Sequence, residues 1–161
     1  MKRLAVVGIV LALVGLFLAV AYWPLTSVSG SQLRADEQGN GFLGYAVGAK
    51  ATIHEKVDNV SYSSILGPSI TVLWIDSGDP NNPVPVYVQG DARPVVTPGE
   101  VVYMPAVLEQ TVLGIEYWQV STPSDVHAAW PLDAAFYGAM GLGVVLVVAD
   151  ALRSGRRTPE G

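Results

Sequence analysis

The sequence predicts a small all-β barrel of five strands carried between two transmembrane α-helices. Two apolar runs of helical length lie near the ends of the chain, and between them short alternating segments are separated by Gly- and Pro-rich turns. No stretch between the runs has the period of a convincing helix. Half of the 161 residues are apolar, which leaves room for one domain outside the membrane once two spans are removed.

Residues 1–24 supply the first span. Leu4 to Trp23 carries no charge over twenty residues, and that many helical residues cover about 30 Å, the hydrocarbon thickness of a bilayer. Residues 131–153 supply the second, since the apolar stretch from Ala134 to Ala149 becomes a full span when it starts at Pro131 and runs to Arg153. Pro131 suits a first helical turn, where its missing N–H would have no intrahelical partner, and Asp133 lies near the positive end of the helix dipole. Asp150, three residues before Arg153, reads as half of an interfacial ion pair rather than as an intramembrane proton site.

Cytoplasmic flanks of spans carry excess Lys and Arg. Lys2 and Arg3 precede the first span, and Arg153, Arg156 and Arg157 sit at and beyond the end of the second, so the two short tails hold five of the nine basic residues. The expectation is a multi-pass protein of the cell membrane with both termini cytoplasmic, the last eight residues (154–161) forming a basic tail, and residues 24–133 extracytoplasmic. Tyr22 and Trp23 then mark the same interface as Trp130, Phe136 and Tyr137. A cleaved signal peptide ending near Ala19-Val20-Ala21 is the competing reading of the first span, and it too puts the middle outside.

The outer segment has twelve carboxylates against four basic side chains, a net charge of −8. That balance argues against a nucleic-acid partner and against adhesion to anionic lipid. The partners expected are the bilayer itself and a membrane protein or another copy of this chain. With no cysteine, disulfides, thiolate catalysis and Cys-ligated metal are all removed.

Residues 25–41 read as a polar linker and residues 42–122 as the barrel. The first strand candidate, Leu43 to Val57, alternates apolar Ala49, Ala51, Ile53 and Val57 with polar neighbours, and Gly44 and Gly48 let it bend. Ser69 to Ile75 follows, then the turn "DSGDPNNP", then Val84 to Gln89. The turn "TPGE" leads to Val101 to Leu108, and Val112 to Val120 ends the set. Alternation predicts an inward set of Ile53, Val72, Trp74, Val86, Val101, Tyr103, Ile115 and Tyr117. Residues 123–130 are expected to be a linker.

The run "VPVYVQG" (residues 84–90), Pro94, "PGEVVYM" (98–104) and "IEYWQV" (115–120) resembles the barrel of the cytochrome c maturation haem chaperones. The loose similarity covers residues 1–125 and the closer one residues 84–120. It implies an OB-type barrel outside the membrane, anchored by a helix with a basic cytoplasmic start, and haem as a cofactor. In that family a histidine shortly after the last strand, with a tyrosine four residues later, attaches the haem. Here "STPSDVHAAWP" places His127 late and Pro131 at the tyrosine position, and the second span also departs from the family plan. His127 is therefore a cofactor residue only if the haem reading holds; otherwise no cofactor is expected.

Other motifs reduce to structure. "GNGFLG" (residues 39–44) fits a dinucleotide fingerprint but lacks the strand before it and the helix after it. "WIDSGD" around Asp76 resembles an aspartic-protease signature, with "VLG" at Val112 to Gly114 as its companion, yet two carboxylates must share a proton in such a site. The turn reading is preferred, with calcium at Asp76, Asp79 and Asn81 and a membrane-anchored protease as lesser alternatives. His54 falls on the polar face of its strand, His127 has no neighbouring ligand at metal spacing, and Asn59 in "NVS" is a glycosylation acceptor. No residue is assigned as catalytic or metal-binding.

The spans carry the sharper pattern. Ala5, Gly8, Ala12, Gly15 and Ala19 are spaced 3, 4, 3, 4 along one stripe, and Ala135, Ala139 and Gly143 mark the second helix. Small residues let helix backbones approach in lipid, so these eight residues are expected to form a packed seam. The expectation is a binding or assembly module of a membrane complex that is not an enzyme.

Overall fold

The computed structural model describes residues 3–21, 27–37, 44–64 and 67–155. The chain divides into two compact units, a helical pair from residues 1–25 with 131–161 and a β unit from Thr26 to Trp130. The helical pair consists of α1, Arg3–Ala21, and α3, which begins at Ala129 and ends at Gly155. Both are long and apolar enough to cross a membrane.

Among the described residues the β unit contains a short helix α2, Gly30–Glu37, and six strands: β1 Lys50–Ser63, β2 Ile70–Ile75, β3 Val84–Gln89, β4 Val101–Gln110, β5 Glu116–Val120 and β6 His127–Ala128. β1 is long enough to serve two partners. Its first half pairs with β4, from Lys50↔Val107 to Lys56↔Val101, and its second half pairs with β2 out to Ser63↔Ile70. The register slips between Val57 and Asn59, where the strand changes partner. β2 and β3 form a hairpin, β3 runs parallel to β5, and β5 returns antiparallel to β4. Five strands thus close into a ring in the order β1-β2-β3-β5-β4 and back to β1. β6 adds to β4 at Val102 and Tyr103, just before α3 begins.

Inside the ring lie Ile53, Val57, Leu73, Ile75, Val86, Val88, Val102, Met104 and Val120, all fully buried. The turn after β3 contributes Ala92 and Val96, set inward by one helical turn with Val96 N–H donating to the Ala92 carbonyl (3.1 Å). Thr71 is a polar residue fully buried in this interior. Its hydroxyl donates to the Gly90 carbonyl (2.8 Å) and accepts from the Ala92 N–H (2.9 Å), which removes the penalty of burying it.

The inward set differs from the alternation expected for three strands. Ile53 and Val86 are inside, but β2 turns Thr71, Leu73 and Ile75 inward and leaves Val72 and Trp74 half-buried on its outer face. β4 turns Val102 and Met104 inward, with Val101 39% exposed, and β5 turns in Trp118 and Val120, with Ile115 62% exposed and Tyr117 on the outer face. Tyr103 is fully buried, yet it points away from the ring interior and stacks on His54 (4.0 Å, 13°). The cause is that "ITVLWI" and "VVYMPA" are apolar on both faces, so a period of two does not say which face is inside.

Two further corrections concern the flanks. The described part of the expected first strand begins at Lys50, not Leu43, and continues to Ser63; residues 38–43, with most of "GNGFLG", lie outside the described residues. The expected polar linker holds α2. Ser29 caps it, accepting from the Gln32 N–H (3.3 Å) while its own N–H donates to Gln32 Oε1 (2.9 Å). That reciprocal pair is a capping box, and Val28 and Leu33 occupy its hydrophobic-staple positions, both inside the core. The N–H of Gly30 also donates to the Glu55 carboxylate (3.2 Å), and a Cβ on Gly30 would collide with the Asp76 carbonyl. The expected 123–130 linker likewise holds a 3-10 turn, Pro123–Asp125, and β6.

Candidate functional site

A groove of about 1200 Å³ opens in the β unit along β3 and β5, at the end of the ring where β4 turns into β5. Four aromatic residues are among its lining. Tyr87 of β3 and Tyr117 of β5 meet edge to face, centroids 5.4 Å apart at 80°. Tyr45 and Trp118 make a second edge-to-face pair at 5.0 Å and 89°. Such pairs contribute about 0.5–1.5 kcal/mol beyond area burial and hold the rings in place. Of the described lining residues one is charged, Glu116.

The β4–β5 turn beside the groove carries three apolar side chains into solvent: Val112 (104% exposed), Leu113 (83%) and Ile115 (62%). The turn is well braced. Thr111 N–H donates to the Ile115 carbonyl (2.8 Å), Gly114 N–H to the Thr111 carbonyl (2.9 Å), and Ile115 N–H to Thr111 Oγ1 (3.0 Å). Gly114 at φ +81° permits the bend. A hydrogen-bonded loop with adjoining apolar tips is a surface that gains by being covered.

The polar motifs are absorbed by turns. Asp76 accepts the Gly78 N–H (2.8 Å) and the Lys56 ammonium (3.4 Å), and these two contacts, in that order, hold its carboxyl below the usual range. Lys56 also pairs with Asp58 at 2.8 Å, and that contact foremost raises its pKa. Asp79 accepts the Asn81 N–H (3.0 Å), so two of the three candidate calcium residues organise the hairpin turn. Arg93 grips Asp91 with two nitrogens (2.8 and 2.7 Å), lies 3.9 Å over the Tyr62 ring, and lowers the Asp91 pKa. Asn59 is exposed on β1.

His127 is exposed on β6, opposite Tyr103, which in turn lies opposite His54. The two histidines therefore flank one tyrosine in a row across β6, β4 and β1. His54 is half-buried under the Tyr103 stack rather than solvated. The groove opens beyond Leu108, about 17 Å further along β4. Among the described residues no group of three or more His, Cys, Asp or Glu is placed to hold a metal ion.

In the helical pair, α1 buries Gly8, Gly15 and Ala19 and half-buries Ala5 and Ala12, so the stripe read from spacing is its packed face. A Cβ on Gly8 would stand 2.7 Å from the Gly143 carbonyl oxygen, and one on Gly143 would stand 2.5 Å from the Ala12 nitrogen. A Cβ on Gly15 would meet Met140 Cγ at 2.7 Å and the Phe136 oxygen at 3.0 Å. The helices run antiparallel in close contact, but the α3 side differs from the one expected. Phe136, Met140 and Gly143 face α1, Ala139 is half-buried, and Ala135 is exposed. Ala135 lies about 100° around the helix from Phe136. A stripe of glycines on α1 already gives the clearance, and the bulkier Phe136 and Met140 fill it. Asp150 is buried on α3 at 9% exposure, while Arg153 is exposed.

Reading the sequence missed Tyr45, Tyr87, Trp118 and Glu116 as site residues. Tyr87 and Tyr117 come together only through the parallel pairing of β3 with β5. The exposed "TVLGI" tip was legible as four apolar or small residues at a turn. No family model, no curated protein and no solved structure matches the chain.

Proposed function

We propose that this chain is a two-helix membrane protein that displays an OB-type barrel outside the cytoplasm and serves as a binding module in the assembly of a membrane complex. The barrel reading is supported by the closed order β1-β2-β3-β5-β4, by the parallel β3–β5 pair, and by a first strand shared between β2 and β4. The outward placement rests on the basic tails. The observation that carries the binding function is the aromatic groove beside the braced, apolar β4–β5 tip. Isolated exposed apolar side chains are ordinary, whereas adjoining ones next to a concave aromatic surface mark a contact site.

Photo-cross-linking in native membranes tests this. A benzophenone amino acid at 112 or 117 should give a discrete adduct that the same group at 81, in the β2–β3 turn, does not. An adduct at twice the chain's mass identifies the partner as a second copy. Absence of any adduct from both 112, on the tip, and 117, in the groove, overturns the binding reading.

A further inference from the structure

We propose that the groove takes an extended peptide segment bearing lysine or arginine, contributed by a partner protein. This deepens the binding reading above and rests on it. Charge sets the sign of the partner. The outer segment carries −8, and at least two of its four cations are already committed, Lys56 to Asp58 and Asp76 and Arg93 to Asp91. In the groove itself the described lining holds a carboxylate, Glu116, and no lysine or arginine. Glu109 sits directly across from Tyr117 on the same outward face. An acidic partner, or a second copy docking with the same surface, would bring like charges together.

Ring chemistry points the same way. Tyr45, Tyr87 and Tyr117, all half-buried, offer π faces and edges, with Glu116 in the same lining and Glu109 across from Tyr117, and such rings with carboxylates nearby attract an ammonium or guanidinium by cation–π and Coulomb terms together. Size then decides between a small cation and a chain segment. A volume of about 1200 Å³ exceeds what one small ligand fills. Gln89, Gln119 and Thr111 along the lining supply amide and hydroxyl groups that suit the alternating donors and acceptors of an extended backbone. An extended segment also keeps most of its backbone freedom until it docks, so affinity should come chiefly from two or three side chains.

The test uses the full chain in nanodiscs of zwitterionic lipid and two labelled peptides, one of alternating arginine and proline and one of alternating glutamate and proline, both extended in solution. Fluorescence anisotropy should show saturable binding of the arginine peptide and none of the glutamate peptide. Tyr117→Ala should weaken binding roughly tenfold. Because that substitution also removes packing, Glu116→Lys serves as the second variant: it is exposed, and it should abolish the preference for arginine without unfolding the domain. Equal binding of the two peptides, or unchanged affinity in Glu116→Lys, overturns the proposal. A partner cross-linked at 117 through a neutral or acidic segment also overturns it, while leaving the binding reading intact.

Discussion

Tyr87 and Tyr117 meet edge to face across the parallel pairing of β3 and β5, and that contact joins two strands whose register extends over only Val86↔Trp118 to Val88↔Val120. The same two rings wall the groove. Ring closure and the binding surface therefore share residues, and the substitutions that test one must be checked against the other.

The interior phase is testable on neighbouring positions of β2. Leu73→Ala should cost about 2–5 kcal/mol because Leu73 is fully buried in the ring. Val72→Ala, on the outer face, should cost about 1 kcal/mol or less. Thermal unfolding of the full chain in detergent, followed by near-ultraviolet dichroism, reports both; equal losses would mean that the strand faces are misassigned.

Thr71→Val keeps the shape of the side chain and removes the hydroxyl that joins Gly90 and Ala92. The buried Ala92 N–H and the half-buried Gly90 carbonyl lose their partner, so a loss of about 1–3 kcal/mol is expected despite the added apolar surface. A neutral or stabilising result in the same assay would show that water replaces the hydroxyl there.

Ser29→Ala should destabilise α2 by about 0.5–2 kcal/mol. Hydrogen exchange should quicken in residues 30–37 and leave β2 and β3 protected. Uniform acceleration across the β unit would instead make α2 an inseparable part of the core.

Acid should act on Asp76. Its folded pKa lies below the ordinary value of 3.8, so the stability it supplies is present above that value and is lost as pH falls through the folded pKa. The wild-type chain and Asp76→Asn should differ in Tm near neutral pH and converge at the acid end. A gap that widens on acidification would reverse the assigned sign.

Topology and helix packing can be read by cysteines in this cysteine-free chain. Single cysteines at 2, 60 and 158 should label from outside only at 60. Paired cysteines at 12 and 143 should cross-link within one chain, whereas a pair at 15 and 135 should not, because Ala135 faces away from α1.

Local chemistry determined much of this protein by itself. Each of the two long helices follows from a run of apolar residues long enough to cross a bilayer, and β3 and β4 begin where expected because turns with Gly78 and Gly99 at positive φ precede them, while β2 begins one residue later than expected, at Ile70. The small-residue face of α1 also follows directly from helical spacing. Tertiary structure decided what local pattern leaves open. Strands apolar on both faces acquire an inside only when the ring closes, and Thr71 can enter it only because Gly90 and Ala92 arrive from another strand's end. An eight-residue helix such as α2 is too short to persist alone, so its capping box becomes decisive only with Leu33 in the core. The groove depends on a pairing between strands distant in sequence, and Phe136 rather than Ala135 meets α1 because packing selects shape against shape, which composition along one helix does not encode.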